Sequence, residues 1–345
     1  MSRESSFLFN NMILLAACFT VLWGTLFPVL SEYVQGSKVT VGAPFYNRVN
    51  IPIGLFLLFL TGIGPLLAWR STTLRSIRRN FILPSIAMAV AAIGLMIGGL
   101  RPWNDGDDMH ATIFSLVAFT LSAGVITAIT EEFLRGARVV RTQTGKNILS
   151  SIVLLTRRNT RRYGGYFIHF GIVVMFIGIA GGAFNQAREM EMSYSDTLSI
   201  GPYSLVCQSI TQDSKPEYDT DYALLDVYKN GKKVTQLSPE KRSYFAGTDH
   251  EQSSTIVALH STAQADLYTV FEGKNPDTGK PIIKVFLNPL IAWIWIGVVI
   301  VVIGTFIALA PNLVRSPVRQ RQEDFAPALG RTLGSPSVLA KAPHV

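Results

Sequence analysis

The sequence predicts a polytopic α-helical membrane protein with about six transmembrane helices and one small antiparallel β domain between helices five and six. Three observations carry that reading. Of 345 residues, 48% are hydrophobic and 16% charged, against about 25% charged in a soluble domain, and mean hydropathy is +0.31. Six stretches approach the roughly 20 predominantly apolar residues that cross a bilayer. Between the last two lies a polar insertion of about 100 residues with strand signals. The same balance excludes a disordered, collagen-like or coiled-coil chain as a global reading. Cys18 and Cys207 lie far apart and form neither a CxxC pair nor a metal-type spacing, so neither a disulfide framework nor thiol chemistry is supported.

The spans fall near 11–30, 51–69, 81–100, 111–130, 164–184 and 288–310. Backbone groups in lipid must be satisfied within the segment, which makes these helices. The first has little charge before it and no small-residue cleavage site after it, so it reads as a retained span rather than a removable signal.

Charge then orients the chain. The net +8 is concentrated in 70–80 (+4), 131–163 (+6) and the tail after Pro311 (+3). By contrast, 31–48 carries +1, 101–110 carries −2 and 186–286 carries −4. Basic loops stay in the cytoplasm, and here they alternate across six spans. Both termini and the loops near 75 and 147 are expected inside; the loops near 40 and 105 and the 186–286 insertion are expected outside. The arginine runs read as topology and contact with anionic lipid rather than nucleic-acid binding. Four segments follow: a membrane domain of five spans over 1–185, a periplasmic β-rich domain over 186–286, a sixth span over 287–311 and a cytoplasmic, disordered tail over 312–345.

In the insertion, the run from Tyr222 to Lys229 meets Asn230-Gly231 and then the run from Lys232 to Leu237. Asn-Gly between two such runs is a strong signal for a type I′ hairpin. Runs at 203–211, 254–260, 266–271 and 281–286 also predict strands. No triad or paired-carboxylate spacing stands out. His110, His250 and His260 read as surface or interface histidines, and His344 lies in the tail. Trp293 and Trp295, just past Pro289, suit the headgroup layer at the mouth of span six.

His169 is different. It lies six residues into span five, roughly 9 Å from the cytoplasmic edge at 1.5 Å per residue, where an ionisable side chain marks a functional site by default. Positions 165, 169, 172, 173 and 176 share one helix face, and Gly165, one turn before the histidine, leaves a gap beside the imidazole. A porphyrin plane needs such room, and close helix packing uses it equally well. The residues alone leave three readings open: an axial haem ligand, a hydrogen-bonding interhelical histidine, or a proton or ion relay. No Asp, Glu, Lys or Arg in the middle of the spans supports the relay.

Several motifs, in consistent order, resemble the cytochrome c maturation protein F (CcmF) family. They are Ser2-Arg3-Glu4-Ser5, Asn10-Asn11, Gly24-Thr25-Leu26-Phe27-Pro28, Val41-Gly42-Ala43-Pro44-Phe45-Tyr46-Asn47 in the first outer loop, and Gly64-Pro65-Leu66 closing span two. Gly164-Gly165-Tyr166-Phe167-Ile168-His169-Phe170-Gly171, Glu240-Lys241-Arg242-Ser243-Tyr244-Phe245 and Pro289 with Trp293-Ile294-Trp295 complete the set. The resemblance runs from about residue 2 to 315.

It implies a subunit of the cytochrome c haem lyase. With other maturation subunits, such proteins receive haem from a periplasmic haem chaperone. They support its thioether attachment to the CxxCH motif of apocytochrome c, at the outer face of the bacterial inner membrane. The family also holds a haem b in the bilayer between two histidines on different helices, and His169 matches one axial iron ligand, with Gly165 beside it. Family members are about twice as long. The segment not represented here carries a tryptophan-rich WGxxWxWD motif, two external haem-binding histidines and the second haem b ligand. The five tryptophans of this chain (23, 69, 103, 293 and 295) never cluster. The resemblance therefore implies a natural split subunit, inactive as a lyase without a separately encoded N-terminal half, with no catalytic residue of its own. A truncated product is the other explanation. The contrasting functional reading is a haem-free membrane transporter or assembly scaffold.

Overall fold

The computed structural model describes residues 3–63, 74–101, 109–244 and 252–312. Seven helices and ten strands are assigned among them. The helices are α1 (Arg3–Gln35), α2 (Ala43–Ile63), α3 (Leu74–Ile97), α4 (Met109–Thr144), α5 (Ile148–Arg158), α6 (Thr160–Ala180) and α7 (Ala292–Leu309). A 3₁₀ turn at Gly181–Phe184 follows α6. Six are long and apolar enough to cross a membrane: Phe7–Gln35, Ala43–Ile63, Asn80–Ile97, Met109–Thr144, Thr160–Phe184 and Ala292–Leu309. The polytopic fold class is as the sequence predicts. Several hydroxyls inside the spans donate to carbonyls one turn back, as in Thr61 to Leu57 (2.9 Å) and Thr127 to Ala123 (2.7 Å), the local bond such side chains make in helices.

Two helix boundaries differ from the sequence reading. Span two begins at Ala43, so Ala43-Pro44-Phe45-Tyr46-Asn47 forms the first turns of α2 rather than a loop. Proline is well placed there, because first-turn N–H groups have no intrahelical partner. Span four does not stop near 130: α4 continues to Thr144 and α5 follows at Ile148–Arg158, so the two helices together take up most of the basic segment 131–163. Arginine and glutamate are good helix formers, so charge density removed this segment from the apolar pattern without removing it from the helix. The Gly64-Pro65-Leu66 motif, Asp107 and Asp108, His250, His344 and the tail after Asn312 lie outside the described residues.

The chain divides into two compact units. The larger comprises 1–129 with 169–301, the smaller 130–168 with 302–345. In the larger unit, two antiparallel sheets form the β domain, one ordered β1-β10-β9-β8 and the other β2-β3-β4-β6-β7 with β5 also on β4. The strands are β1 (Gln186–Glu191), β2 (Thr197–Ile200), β3 (Tyr203–Ser214), β4 (Tyr218–Lys229), β5 (Lys232–Leu237), β6 (Glu240–Tyr244), β7 (Gln252–Ile256), β8 (Ala258–Ser261), β9 (Ala265–Lys274) and β10 (Pro281–Pro289). The period-2 alternation of β9 and β10 puts Leu267, Phe271, Ile283 and Val285 into one core with Leu205 and Leu225. Full burial of side chains of this size stabilises by about 1.5–3 kcal/mol each. The hairpin forms as expected, with positive φ at Asn230 (51°) and Gly231 (79°), the conformation a type I′ turn requires.

Buried Asp226 on β4 is satisfied from β5, by Lys233 at 2.7 Å and the Gln236 side-chain amide at 2.9 Å. The expected strand at 254–260 is two strands, because the chain leaves one sheet at Ile256 and enters the other at Ala258. In α7, the Trp293 indole donates to the Ala263 carbonyl at 3.0 Å, tying helix to β domain, while Trp295 is 72% exposed.

In the smaller unit, the Thr160 amide, an orphan donor at the start of α6, donates to Asn312 Oδ1 at 3.0 Å, and its hydroxyl bonds Ala310 O at 2.6 Å. Arg162 pairs with Glu132, and Phe133 packs among the Tyr163, Tyr166 and Phe167 rings.

Candidate functional site

The glycines of α6 separate into two groups. Within the larger unit, Gly171 and Gly178 meet α7. An added Cβ on Gly171 would stand 2.8 Å from Gly297 O and Val301, and one on Gly178 2.7 Å from Ile294. In the smaller unit, a Cβ on Gly164 would fall 2.5 Å from Ala308, and one on Gly304 2.8 Å from Ile168. These residues recur every seven positions, two helical turns, and allow two backbones to approach closely. Gly165 is not among them: nothing lies within 4 Å of where its Cβ would be.

His169 is partly buried. Its Nδ1 is fully enclosed and finds no hydrogen-bond partner, which a neutral imidazole normally avoids by pairing both ring nitrogens. Val173 and Phe176 follow it on the same face at helical spacing. Phe176 lies over Gly54 of α2, where a Cβ would meet the ring at 3.4 Å. Phe176 also lines an apolar cleft of about 470 Å³ with Tyr46, Asn50, Gly54, Ser115, Ala118 and Ala180. Asn50 Oδ1 is buried there without a partner. Tyr46 and Asn47 entered the sequence reading only as part of a family motif, and Asn50, Gly54, Ser115, Ala118 and Ala180 were not singled out, although Asn50 is a polar position inside an apolar span and carries a usable signal.

The other histidines lie apart from this face. His110 opens α4 beside Arg48 in a neighbouring depression. His260 on β8 meets the Tyr203 ring edge-on at 6.4 Å. No cluster of three or more His, Cys, Asp or Glu side chains suited to a metal occurs among the described residues.

The donor set can be tested against a haem. An enclosed imidazole with a nitrogen that has no protein partner fits a residue that would hold haem iron. Among the described spans no second buried histidine accompanies it, since His110, in the span Met109–Thr144, is exposed. The residues present fit half of a bis-histidine site.

The fold defines a multi-pass membrane protein with an antiparallel β domain inserted before its last helix. The family described as CcmF C-terminal beta-sandwich matches residues 183–289. The cytochrome c-type biogenesis protein CcmF of Pseudomonas aeruginosa is 29% identical over 323 residues, covering 93% of this chain and 46% of that protein. CcmF of Escherichia coli is 28% identical over 311 residues, covering 89% and 44%. CycK of Bradyrhizobium diazoefficiens is 28% identical over 328 residues, covering 93% and 47%. The solved structure of a cytochrome c haem lyase CcmF shares the fold at a TM-score of 0.64, with 22% identity over 90% of this chain and 46% of that one. The chain is thus similar to cytochrome c maturation protein F proteins over about nine-tenths of its own length, and it spans about half the length of the curated relatives it matches.

Proposed function

We propose that this chain acts in cytochrome c biogenesis as the C-terminal part of a haem lyase in the bacterial inner membrane, and that His169 supplies one axial ligand to a bilayer haem b. The orphaned, enclosed Nδ1 of His169 carries this reading. A buried polar atom left unpaired costs about 1–3 kcal/mol, and coordination of iron by the imidazole would give the ring a partner that the surrounding side chains do not supply. Bound there, haem b supplies a one-electron redox centre. The chain's own part is to hold the imidazole on a helix clamped to α7 by Gly171 and Gly178, and to keep apolar side chains around it.

The second axial ligand then comes from the portion of the lyase that the relatives carry outside this match, together with the tryptophan-rich motif. Partners follow from the same reading: other maturation subunits, the haem-loaded periplasmic chaperone and apocytochrome c, whose CxxCH motif accepts the haem. Both termini face the cytoplasm, and 186–286 forms the periplasmic docking domain.

The test is an absorption spectrum of the chain purified after co-expression with the remaining lyase segment. A low-spin b-type spectrum lost in His169→Ala is expected; undiminished haem in that variant overturns the assignment. Deleting 190–284 should abolish cytochrome c assembly while haem b stays bound. Assembly that persists removes the docking role.

A further inference from the structure

We propose that α5 is an in-plane docking helix for anionic phospholipid, with Leu149 and Val153 entering the apolar layer and Lys146 and Arg157 holding headgroup phosphate.

α5 lies within the smaller unit. α5 has eleven residues, about 16 Å at 1.5 Å per residue, too short to cross a bilayer of about 30 Å. Its inner face is settled: Ser151 and Leu155 are buried, and Leu155 fills the space beside Gly136, where a Cβ would meet its side chain at 2.7 Å. Gly145, at φ 69°, reverses the chain between α4 and α5. The outward face is unusual for a helix in water. Leu149 is 74% and Val153 53% exposed, four residues apart and so one above the other.

Charge identifies what covers this face. Arg157, one turn past Val153, lies on the same side by helical spacing, and Lys146 immediately precedes the N-cap Asn147, so the two bases stand at the two ends of α5. Both are exposed, and among the described residues neither has an ion pair. Between 131 and 163 the sequence has eight bases and only two acids, Glu131 and Glu132, and Glu132 is taken by Arg162. A surface that is apolar at its centre and cationic at both ends complements an amphiphile with a negative headgroup. Helices of this composition lie in the interface, and each base there strengthens attraction to anionic lipid. A soluble phosphate satisfies the bases and leaves the apolar pair bare, so the lipid is the occupant.

The test uses the full chain in neutral detergent micelles, titrated separately with phosphatidylglycerol, phosphatidylcholine and inorganic phosphate, while hydrogen exchange of 148–158 is followed. Phosphatidylglycerol alone should slow exchange strongly. Lys146→Gln with Arg157→Gln should weaken its apparent affinity roughly thirtyfold, from about 1 kcal/mol for each base, whereas Lys146→Arg with Arg157→Lys retains it. Leu149→Asn with Val153→Asn should abolish the slowing. Equal protection by phosphatidylcholine, protection by inorganic phosphate alone, or unchanged affinity in the double glutamine variant overturns the proposal. The wild-type comparison of the three ligands stands even where a variant fails to fold.

Discussion

Gly171 of α6 lies against Gly297 of α7, so close that a Cβ on the first would stand 2.8 Å from the carbonyl oxygen of the second, and one on the second 2.6 Å from the carbonyl oxygen of the first. In the larger unit the contacts 171 with 301, 175 with 297 and 178 with 294 run in opposite directions along the chain, as in an antiparallel pair. Both obstacles are backbone atoms, which do not move aside as a side-chain tip does.

Gly171→Val should therefore part the helices and destabilise the protein by about 1–3 kcal/mol, the usual penalty of overpacking. Gly165→Ala meets open space and should shift stability by less than about 0.5 kcal/mol in either direction. Thermal unfolding in detergent, followed by circular dichroism, compares the two. Equal losses would mean that the two glycines share one packing role.

His169→Leu separates binding from packing. In the haem-free chain the substitution removes an enclosed nitrogen without a partner, so the apo protein should gain stability, up to about 1–3 kcal/mol. The same variant should show no b-type spectrum when co-expressed with the remaining lyase segment. A haem-free variant less stable than its parent would point to an interhelical hydrogen bond at Nδ1.

What the sequence disclosed and what it hid follow from the same physics. Apolar length announces a span whatever its neighbours are, so all six were legible. Continuation of α4 from Thr130 to Thr144 was hidden, because periodicity fades where arginines and glutamates take over a helix that packing and propensity still maintain. In the β domain, the Asn230-Gly231 hairpin was visible because its conformation depends on two local residues. Strand β1, with the sequence Gln-Ala-Arg-Glu-Met-Glu, was not. It has no apolar alternation, and it is a strand because β10 offers a partner from Leu287 to Ile282. His169 stood out as a polar residue in lipid. Which glycine packs and which leaves space depends on the position of α7, more than a hundred residues further on.

The turn gives a local test. Gly231 sits at φ 79° with nothing within 4 Å of a built Cβ, so a substitution there acts through backbone strain alone. Gly231→Val should destabilise the β domain by about 1–2 kcal/mol, the penalty of left-handed backbone for an L-residue. Asn230→Gly should be nearly neutral. Urea titration of the full chain, read by proteolysis within 186–289, reports the difference.

Cys207 sets an alkaline limit on the same domain. Its side chain is fully buried at the β3–β4 bulge. Burial pushes the thiol above its ordinary range, and the Asp196 carboxylate adds to that, against a smaller opposing effect from a Ser209 backbone hydrogen bond. The folded state thus holds this proton more tightly than the unfolded state does. Stability from that difference is fully present below the unfolded thiol pKa of about 8.5, and is lost as pH rises towards the higher folded value. Melting temperatures of the parent and Cys207→Ala should differ by a constant amount from pH 6 to about 8. Above that range the parent should fall faster, because only its unfolded state gains by releasing a proton. Parallel curves up to pH 10 would show that this thiol ionises alike in both states.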